Sequence, residues 1–282
     1  MLIAKEWKDY EVLSCGDGEK LERWGEYHLL RPDPQVIWHS SEKLEMFPKL
    51  DARYIRSSSG GGVWQYKNKL PGQWQIKYKD LSFIIKPMGF KHTGIFPEQA
   101  VNWEDMTKLI KEAKRPIKVL NLFAYTGGAS VVCSKAGALV THVDASKGMV
   151  ERAKENASIN NITNIRFIID DCKKFIEREI RRGNFYDAII MDPPSYGRGT
   201  NGEMWKLEDN LFDFVMLTKK VLSNNPLFVL ISSYTTGLQA SVLANILTLV
   251  FGKGNINADE IGLPAGDIVL PCGCRGLKIW KN

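Results

Sequence analysis

The stretch that decides the fold is Ile117-Lys118-Val119-Leu120-Asn121-Leu122-Phe123-Ala124-Tyr125-Thr126-Gly127-Gly128-Ala129-Ser130. Its first six residues are mostly apolar and predict a strand, and the paired glycines predict a sharp turn that opens a helix. The first N–H groups of such a helix have no partner within the helix and can bind a ligand. Asp144 ends the next apolar run, where an acid can accept hydrogen bonds from both ribose hydroxyls. The stretch therefore predicts a site for a nucleotide-like cofactor.

The turn matches neither of the two commonest nucleotide motifs. A dinucleotide fingerprint reads G-x-G-x-x-G, and its third glycine is missing from Tyr-Thr-Gly-Gly-Ala-Ser. An ATP-binding loop needs a Gly-Lys-Ser/Thr triplet, which does not follow Gly127 and Gly128. Both NAD and ATP are therefore disfavoured.

Two further apolar runs also end in polar or special residues. Residues 165–169 lead into Asp170-Asp171-Cys172, and residues 186–191 lead into Asp192-Pro193-Pro194-Ser195-Tyr196-Gly197. Because ligands of open α/β sheets bind outside the carboxyl ends of the strands, we expect these residues to share one edge with the glycine turn.

These motifs resemble the class I S-adenosylmethionine-dependent methyltransferases, and most closely the branch of bacterial 23S rRNA methyltransferases with the Phe-x-Tyr-Thr-Gly turn. The resemblance runs from about Phe90 to the carboxyl terminus and implies an α/β fold with a Rossmann-like class I methyltransferase sheet. It implies S-adenosyl-L-methionine as the cofactor. The residues that it places at the cofactor are Phe96, Gln99, Asn121, Phe123, Ala124, Tyr125, Thr126, Gly127, Gly128, Asp144, Ala145, Ser146, Asp171, Cys172 and Asp192.

The resemblance also implies individual roles. Asp144 would bind the ribose hydroxyls, Asp171 would accept from the adenine amino group, and residues 93–99 would fold over the cofactor. Asp192, Pro193, Pro194 and Tyr196 are the implied catalytic residues, since 192–196 look like the motif that faces the methylated atom.

One departure from the family bears on the target atom. Enzymes of this branch that methylate cytosine C5 carry a cysteine after the fifth strand, whereas residues 228–234 read Phe-Val-Leu-Ile-Ser-Ser-Tyr. A serine hydroxyl does not replace a thiolate without an activating base. A nitrogen target needs no covalent step, and here the Asp192 side chain and the Pro193 carbonyl would hold an amino group while Tyr196 stacks on its ring. A structural role for Tyr196 is the alternative.

Composition changes along the chain predict three parts. Residues 1–88 read as a small β-rich domain, with strand-like runs at 27–30, 36–38, 62–66, 74–78 and 81–85 between turn residues. Residues 89–115 form a connecting segment with a helix over 99–114, and residues 116–282 form the cofactor-binding domain. Further helices are predicted over 147–160, 172–182, 207–222 and 238–251, and alternation of strands and helices favours a parallel sheet.

Basic residues concentrate in the β-rich part. Between Tyr54 and His92 there are seven lysines and arginines against one acid, Asp80. The pairs 67/69 and 77/79 are expected to project from strand faces and to contact RNA phosphates. The alternative is a solvated outer face over an aromatic core. The predicted substrate-binding residues are Lys67, Lys69, Lys77, Lys79 and Arg198.

Bulk properties set the remaining expectations. The 282 residues, 44% hydrophobic and 25% charged with a net charge of +6, are ordinary globular material. No signal-peptide core or membrane-length apolar run is present, so a cytoplasmic protein with no membrane contact is expected. Five cysteines and four scattered histidines suggest neither a disulfide framework nor a metal site. The sequence does not indicate the oligomeric state.

Three interpretations of function stay open at this point. The main one is a methyltransferase for a nucleobase nitrogen in rRNA-like RNA. A methyltransferase for a small molecule or protein side chain and a noncatalytic RNA-binding protein are the alternatives. Trp205 is either a residue that gates the substrate or an ordinary loop anchor.

Overall fold

The structure is a computed structural model that describes residues 1–57, 61–89, 91–198 and 204–280. Internal contacts divide the chain into two units. The β-rich unit contains Ile3–Ala100 and Gly262–Cys272, and the sheet unit contains Met1–Leu2, Val101–Ile261 and Gly273–Asn282. The domain boundaries expected at residues 88 and 115 stay predictions.

Short strands dominate the first hundred residues. Strands β2 to β6 form one sheet in chain order, and β7 pairs with β8 in a separate hairpin. Two short 3₁₀ turns cover Leu44–Met46 and Pro97–Gln99. The strands are β1 (Leu2–Ile3), β2 (Tyr10–Gly16), β3 (Glu19–Trp24), β4 (Tyr27–Pro32), β5 (Ala52–Arg56), β6 (Gly62–Tyr66), β7 (Trp74–Tyr78) and β8 (Leu81–Ile85).

Four of the five strand-like runs are strands, and the prediction for residues 36–38 is wrong. The backbone N–H of Val36 bonds Asp33 O, and the indole of Trp38 donates to Cys15 O at 3.0 Å. Val36 is buried while Ile37 is 88% exposed. The apolar run is therefore an irregular segment that follows a turn and bonds to the end of β2.

The lysine pairs do not lie on strand faces as expected. Lys67 and Lys69 follow the end of β6, and Lys79 lies in the β7–β8 turn with a φ of 53°. Only Lys77 is on a strand, and all four side chains are exposed. The neighbouring rings differ, since Tyr78 beside Lys77 and Lys79 is buried whereas Tyr66 beside Lys67 is 56% exposed.

Alternating strands and helices follow, as the sequence predicts. The five predicted helices are present, with ends that shift by up to three residues. In chain order the elements are α1 (Ala100–Glu112), β9 (Lys118–Leu122), α2 (Gly128–Lys135), β10 (Leu139–Asp144), α3 (Lys147–Ile159), β11 (Ile165–Ile169), α4 (Cys172–Arg182), β12 (Ala188–Met191), β13 (Tyr196–Arg198), β14 (Met204–Lys206), α5 (Leu207–Lys219), β15 (Phe228–Ser233), α6 (Ala240–Phe251), β16 (Asn255–Ala265) and β17 (Ile268–Ile279).

Eight strands form the large sheet in the order β1-β16-β17-β15-β12-β9-β10-β11. Strands β15, β12, β9, β10 and β11 pair in parallel, and β17 runs antiparallel to β15. The chain leaves β9 toward β10 on one side and returns to β12 on the other. Such a switch point opens a crevice at the carboxyl ends of the strands, which is where the Rossmann-like prediction places the ligand.

One face of this sheet is held by a continuous apolar core. The core packs side chains of α4, α5 and α6, among them Phe175, Leu211 and Leu247, against strand residues such as Leu120 and Ile189. All five are nearly or completely buried. Because the core fixes the strands and the helices that follow them, it fixes the loops between them at the crevice. Among the described residues, no helix has the length and apolar character of a membrane span.

Candidate active site

The turn between β9 and α2 is strained where it meets the crevice. Phe123 and Tyr125 have φ values of 54° and 52°, and Gly127 has a φ of 82°. A Cβ on Gly127 would lie 2.9 Å from the Cβ of Ala153 in α3, so glycine is required both for the conformation and for the packing. No side chain among the described residues caps α2, which leaves its first N–H groups for a ligand.

Asp144, at the end of β10, holds two loops together. Its Oδ2 accepts from Tyr125 N and its Oδ1 from Ser146 N, both at 2.8 Å. Burial raises the pKa of Asp144 and outweighs the opposing effect of the two N–H donors. The side chain is half-buried. A carboxylate oxygen accepts more than one hydrogen bond, so Asp144 can take further donors such as hydroxyls.

Asp171 and Cys172 begin α4 at the next strand end. Asp171 is the N-cap, and its Oδ1 accepts from Lys174 N at 2.9 Å. The Sγ of Cys172 accepts from Phe123 N at 3.3 Å, which ties α4 to the glycine turn. Both residues therefore have structural contacts of their own, and their implied adenine contacts stay predictions.

A buried polar chain lies beneath the glycine turn. Asn121 Nδ2 donates to Ser130 Oγ at 2.9 Å, and Ser130 Oγ contacts His142 Nδ1 at 3.0 Å. Burial lowers the pKa of His142 to about 3, so the ring is neutral at pH 7. In α3, Asn156 donates to the carbonyl of Thr126 at 2.9 Å. The side chain of Asn121, predicted at the cofactor, is thus bound within the protein and 3% exposed.

The segment after β12 carries the predicted catalytic residues. Asp192 is half-buried, Pro193 is buried, and Pro194 is exposed. The carbonyl of Pro194 accepts from the indole Nε1 of Trp205 at 2.6 Å. Tyr196 is 52% exposed in β13, and its hydroxyl lies 3.1 Å from Met204 Sδ in β14.

Hydroxyl groups meet at the ends of β12 and β15, a feature that the sequence analysis does not identify. The hydroxyls of Ser195 and Thr235 are 2.7 Å apart. Ser232 accepts from Asn102 Nδ2 at 3.0 Å, and Ser233 accepts from Thr235 N at 3.2 Å. No sequence signal links residues 40 positions apart, so only the parallel pairing of β12 with β15 reveals this pair.

None of the five thiols is a free nucleophile. All five cysteines are buried, and burial raises the pKa of each. Burial raises the pKa of the Cys274 thiol to about 11. A thiol with a raised pKa and no exposure is inert as a nucleophile.

The other predicted site residues fall in different places. Ala124, Ala145 and Gly128 lie in the loops and helix start described above, whereas Phe96 and Gln99 belong to the β-rich unit. The Arg198 side chain lies outside the part of the chain that the structure describes. Within that part, no group of three or more His, Cys, Asp or Glu side chains is arranged to hold a metal ion.

Comparison with known proteins agrees with this architecture. The family model of S-adenosylmethionine-dependent methyltransferases matches residues 38–207, more than half of the chain. A solved S-adenosylmethionine-dependent methyltransferase from Agrobacterium tumefaciens is 34% identical, with a TM-score of 0.93 over 99% of this chain and 93% of that one.

Two sequence relatives carry more specific names. The ribosomal RNA large subunit methyltransferase K/L of Pseudoalteromonas translucida is 28% identical over 198 residues, which cover 67% of this chain and 26% of that protein. A putative ribosomal RNA large subunit methyltransferase of Methanocaldococcus jannaschii is 37% identical over 154 residues, covering 52% of this chain and 38% of that protein. The chain thus spans well under half of the length of either relative. The extent of the family match and the likeness of the whole fold show that this chain belongs to the S-adenosylmethionine-dependent methyltransferases.

Proposed function

We propose that this methyltransferase transfers the methyl group of S-adenosylmethionine to a nucleobase nitrogen in rRNA-like RNA. The observation that carries the proposal is the segment Asp192–Pro193–Pro194, which leaves a switch-point strand at the edge where the glycine turn and Asp144 also lie. Acceptor groups for a substrate and for a cofactor therefore share one crevice.

The chain's residues fit the cofactor by the chemistry of their donors and acceptors. The uncapped N-terminus of α2 offers N–H groups for a carboxylate, and Asp144 offers acceptor oxygens for a ribose diol. Burial raises the pKa of the half-buried Asp144 carboxylate despite its two N–H donors, and hydrogen bonds from two ribose hydroxyls would stabilise its charged form further. We propose that Asp171 and Cys172 border the adenine and that Phe96 and Gln99 cover the cofactor.

Catalysis by this site consists mainly of alignment. When bound, S-adenosylmethionine supplies a methyl group on a positively charged sulfur, which leaves as a neutral thioether when a lone pair attacks. The Asp192 carboxylate and the Pro193 carbonyl would accept hydrogen bonds from the target amino group and so orient its lone pair, and the proton that the methylated nitrogen loses would pass to water by way of the Asp192 carboxylate. No donor among the described residues contacts the Pro193 carbonyl, which keeps it available. Tyr196, whose ring is half exposed, would stack on the base.

The state of the thiols supports nitrogen over cytosine C5. Methylation at C5 requires a thiolate that adds to the ring, and every thiol of this chain is buried with a raised pKa. The two serines at the end of β15 are also buried and hydrogen-bonded. Direct attack by a nitrogen needs neither group.

The names of the two relatives and the basic residues of the β-rich unit support RNA as the substrate. Among the described residues, Arg56, Lys69, Lys77 and Lys86 are exposed and form no ion pair. Unpaired cations gain most from phosphate contact because no internal partner must be given up. We propose that these residues, with Lys67, Lys79 and Arg198, contact the RNA backbone.

The proposal is tested by following the methyl group. Purified protein is incubated with methyl-labelled S-adenosylmethionine and either total RNA or a metabolite extract, both from a strain that lacks the protein. We expect label in RNA, at a base nitrogen after nuclease digestion. The variant D192N removes the charge proposed to hold the target amino group, and we expect it to fold normally but to transfer no label.

Other outcomes would contradict the proposal in different ways. Label only in the small-molecule fraction would favour a metabolite methyltransferase, and label at cytosine C5 would overturn the assignment of a nitrogen target. If D192N transferred the methyl label as well as the parent protein, Asp192 would have no part in methyl transfer.

A further inference from the structure

The turn after β12 lacks backbone hydrogen-bond donors at two successive residues. Pro193 and Pro194 have no N–H groups, so two successive residues offer only carbonyl oxygens to their surroundings. Donors from elsewhere in the chain can orient the carbonyls of such a turn. The donor for one of them is the indole Nε1 of Trp205, 2.6 Å from the Pro194 oxygen.

Trp205 also reaches the cofactor side of the crevice. Its ring lies 5.6 Å from the ring of Phe123 and 5.6 Å from that of Phe214, and those two rings are 5.3 Å apart. Phe123 belongs to the strained turn before Gly127 and has a φ of 54°. The three rings therefore form one cluster in which Trp205 contacts the predicted cofactor-binding turn.

The backbone around Trp205 gives it a fixed position. Trp205 lies in β14 opposite Gly197 of β13, and Leu207 N bonds the Ser195 carbonyl at 3.0 Å immediately beyond it. The loop after β12 is thus held before Ser195 by the bond to the Pro194 carbonyl and after it by the pairing of β13 with β14. Only tryptophan combines a large ring with an N–H donor, so phenylalanine would keep most of the packing and lose the hydrogen bond.

We propose that Trp205 is a positioning residue that couples the cofactor turn at Phe123 to the segment Pro193–Pro194, whose Pro193 carbonyl is proposed to bind the target amino group. The indole hydrogen bond fixes the Pro194 carbonyl and leaves the Pro193 carbonyl for the target amino group. The ring fixes Phe123 and, through it, the turn that leads into α2. The effect on turnover rests on the proposed RNA methylation, whereas the effects on cofactor affinity and on loop motion do not.

The test separates the hydrogen bond from the ring. W205F removes the donor, and W205L removes both donor and ring. Trp280 provides matched controls, W280F and W280L, since its ring packs on Phe251 at 5.8 Å within the same unit but away from the crevice. The measurements are the Kd for S-adenosylhomocysteine by calorimetry, kcat and KM for RNA, and hydrogen exchange of residues 195–198.

We expect W205F to lower kcat about tenfold, since a lost hydrogen bond misplaces the acceptor, while the Kd and the KM stay within about twofold. Exchange at 195–198 rises in W205F. We expect W205L to lower kcat at least as far and also to raise the Kd about fivefold, because the cofactor turn loses its packing. A purely structural tryptophan would lower stability without splitting kcat from the Kd in this way.

Each part of the inference can fail separately. If W205F matches W280F in kcat and in exchange, Trp205 does not position the Pro194 carbonyl. If W205L binds S-adenosylhomocysteine as tightly as W280L, Trp205 does not support the cofactor turn. If the parent protein leaves RNA unlabelled, the proposed function fails, and the exchange and Kd results still decide the coupling.

Discussion

Polar side chains are used differently in the two units. At the carboxyl edge of the parallel sheet, Asp144 accepts from N–H groups of two loops, Asp171 accepts from the first turn of α4, and both side chains are half-buried. Inside the β-rich unit, Glu22 and Arg31 are buried and bind each other with two hydrogen bonds. The acids of the first region keep acceptor capacity for a ligand, whereas those of the second are saturated by the protein. Solvent exposure and unused hydrogen-bond acceptor capacity, rather than charge alone, distinguish the carboxylates of a candidate site from those of a structural network.

The buried network should give the largest effect on stability. Glu22 accepts from Arg31 at 2.5 and 2.7 Å and from Tyr10 Oη at 2.7 Å. We expect E22Q to lower the free energy of unfolding by about 3 kcal/mol, because it leaves the Arg31 charge buried without its partner. The urea transition measures this. The control E11Q removes an exposed partner of Arg23, and we expect a change below about 0.5 kcal/mol.

The same variant has a defined pH dependence. Burial raises the pKa of Glu22, but the charges of Arg31 and Lys20 outweigh it, so the pKa lies below its usual range. The stability that this carboxylate contributes is fully present above its unfolded pKa of about 4.3 and is lost as the pH falls through the lower folded value. The difference between parent and E22Q should therefore shrink in acid. A difference that stays constant down to pH 3 would show that ionisation of Glu22 does not matter.

The sheet edge should show the opposite pattern, with a large loss of binding and a small loss of stability. We expect D144A to raise the Kd for S-adenosylhomocysteine about 100-fold, the equivalent of two hydrogen bonds to a charged acceptor. Calorimetry measures the Kd. The control D170A removes an acid that pairs with Arg178 at the neighbouring strand end, and its Kd should change less than about threefold. If D144A and D170A weakened the binding of S-adenosylhomocysteine equally, Asp144 would not be the residue that binds the ribose hydroxyls.

Local signals explain what the sequence predicts and what it misses. The strand, glycine turn and helix at 117–135 are predicted because apolar periodicity and glycine are local features. Strand β3 carries no local signal, since the buried Glu22 breaks the expected alternation and its partner Arg31 is nine residues away. At the site, the positions of Asp144 and Asp192 follow from strand ends. The contacts of Trp205 with Phe123 and Pro194 depend on three-dimensional packing and have no sequence signature.

The glycine turn allows backbone strain to be separated from side-chain overlap. Gly127 and Gly183 both have positive φ values, 82° and 65°, but only at Gly127 would a Cβ meet another atom within 3 Å. We expect G183A to lower stability by about 1 kcal/mol, the cost of a left-handed alanine, and G127A by about 2 kcal/mol. G127A should also weaken binding of S-adenosylhomocysteine, and G183A should not. If G127A and G183A bound S-adenosylhomocysteine with equal affinity, the glycine turn could shift without affecting cofactor binding.

The outer surface of the β-rich unit should give the smallest and most salt-dependent effect. We expect the quadruple variant K67E/K69E/K77E/K79E to weaken RNA binding about tenfold at moderate salt, with an unchanged Kd for S-adenosylhomocysteine. Filter binding at several salt concentrations measures both the affinity and its slope, which should become shallower as phosphate contacts are lost. The control K111E/K135E/K220E/K253E makes the same change in net charge at exposed positions of the sheet unit. If both variants weaken RNA binding equally, total charge governs the interaction, and the basic turns of the β-rich unit are not a specific contact surface.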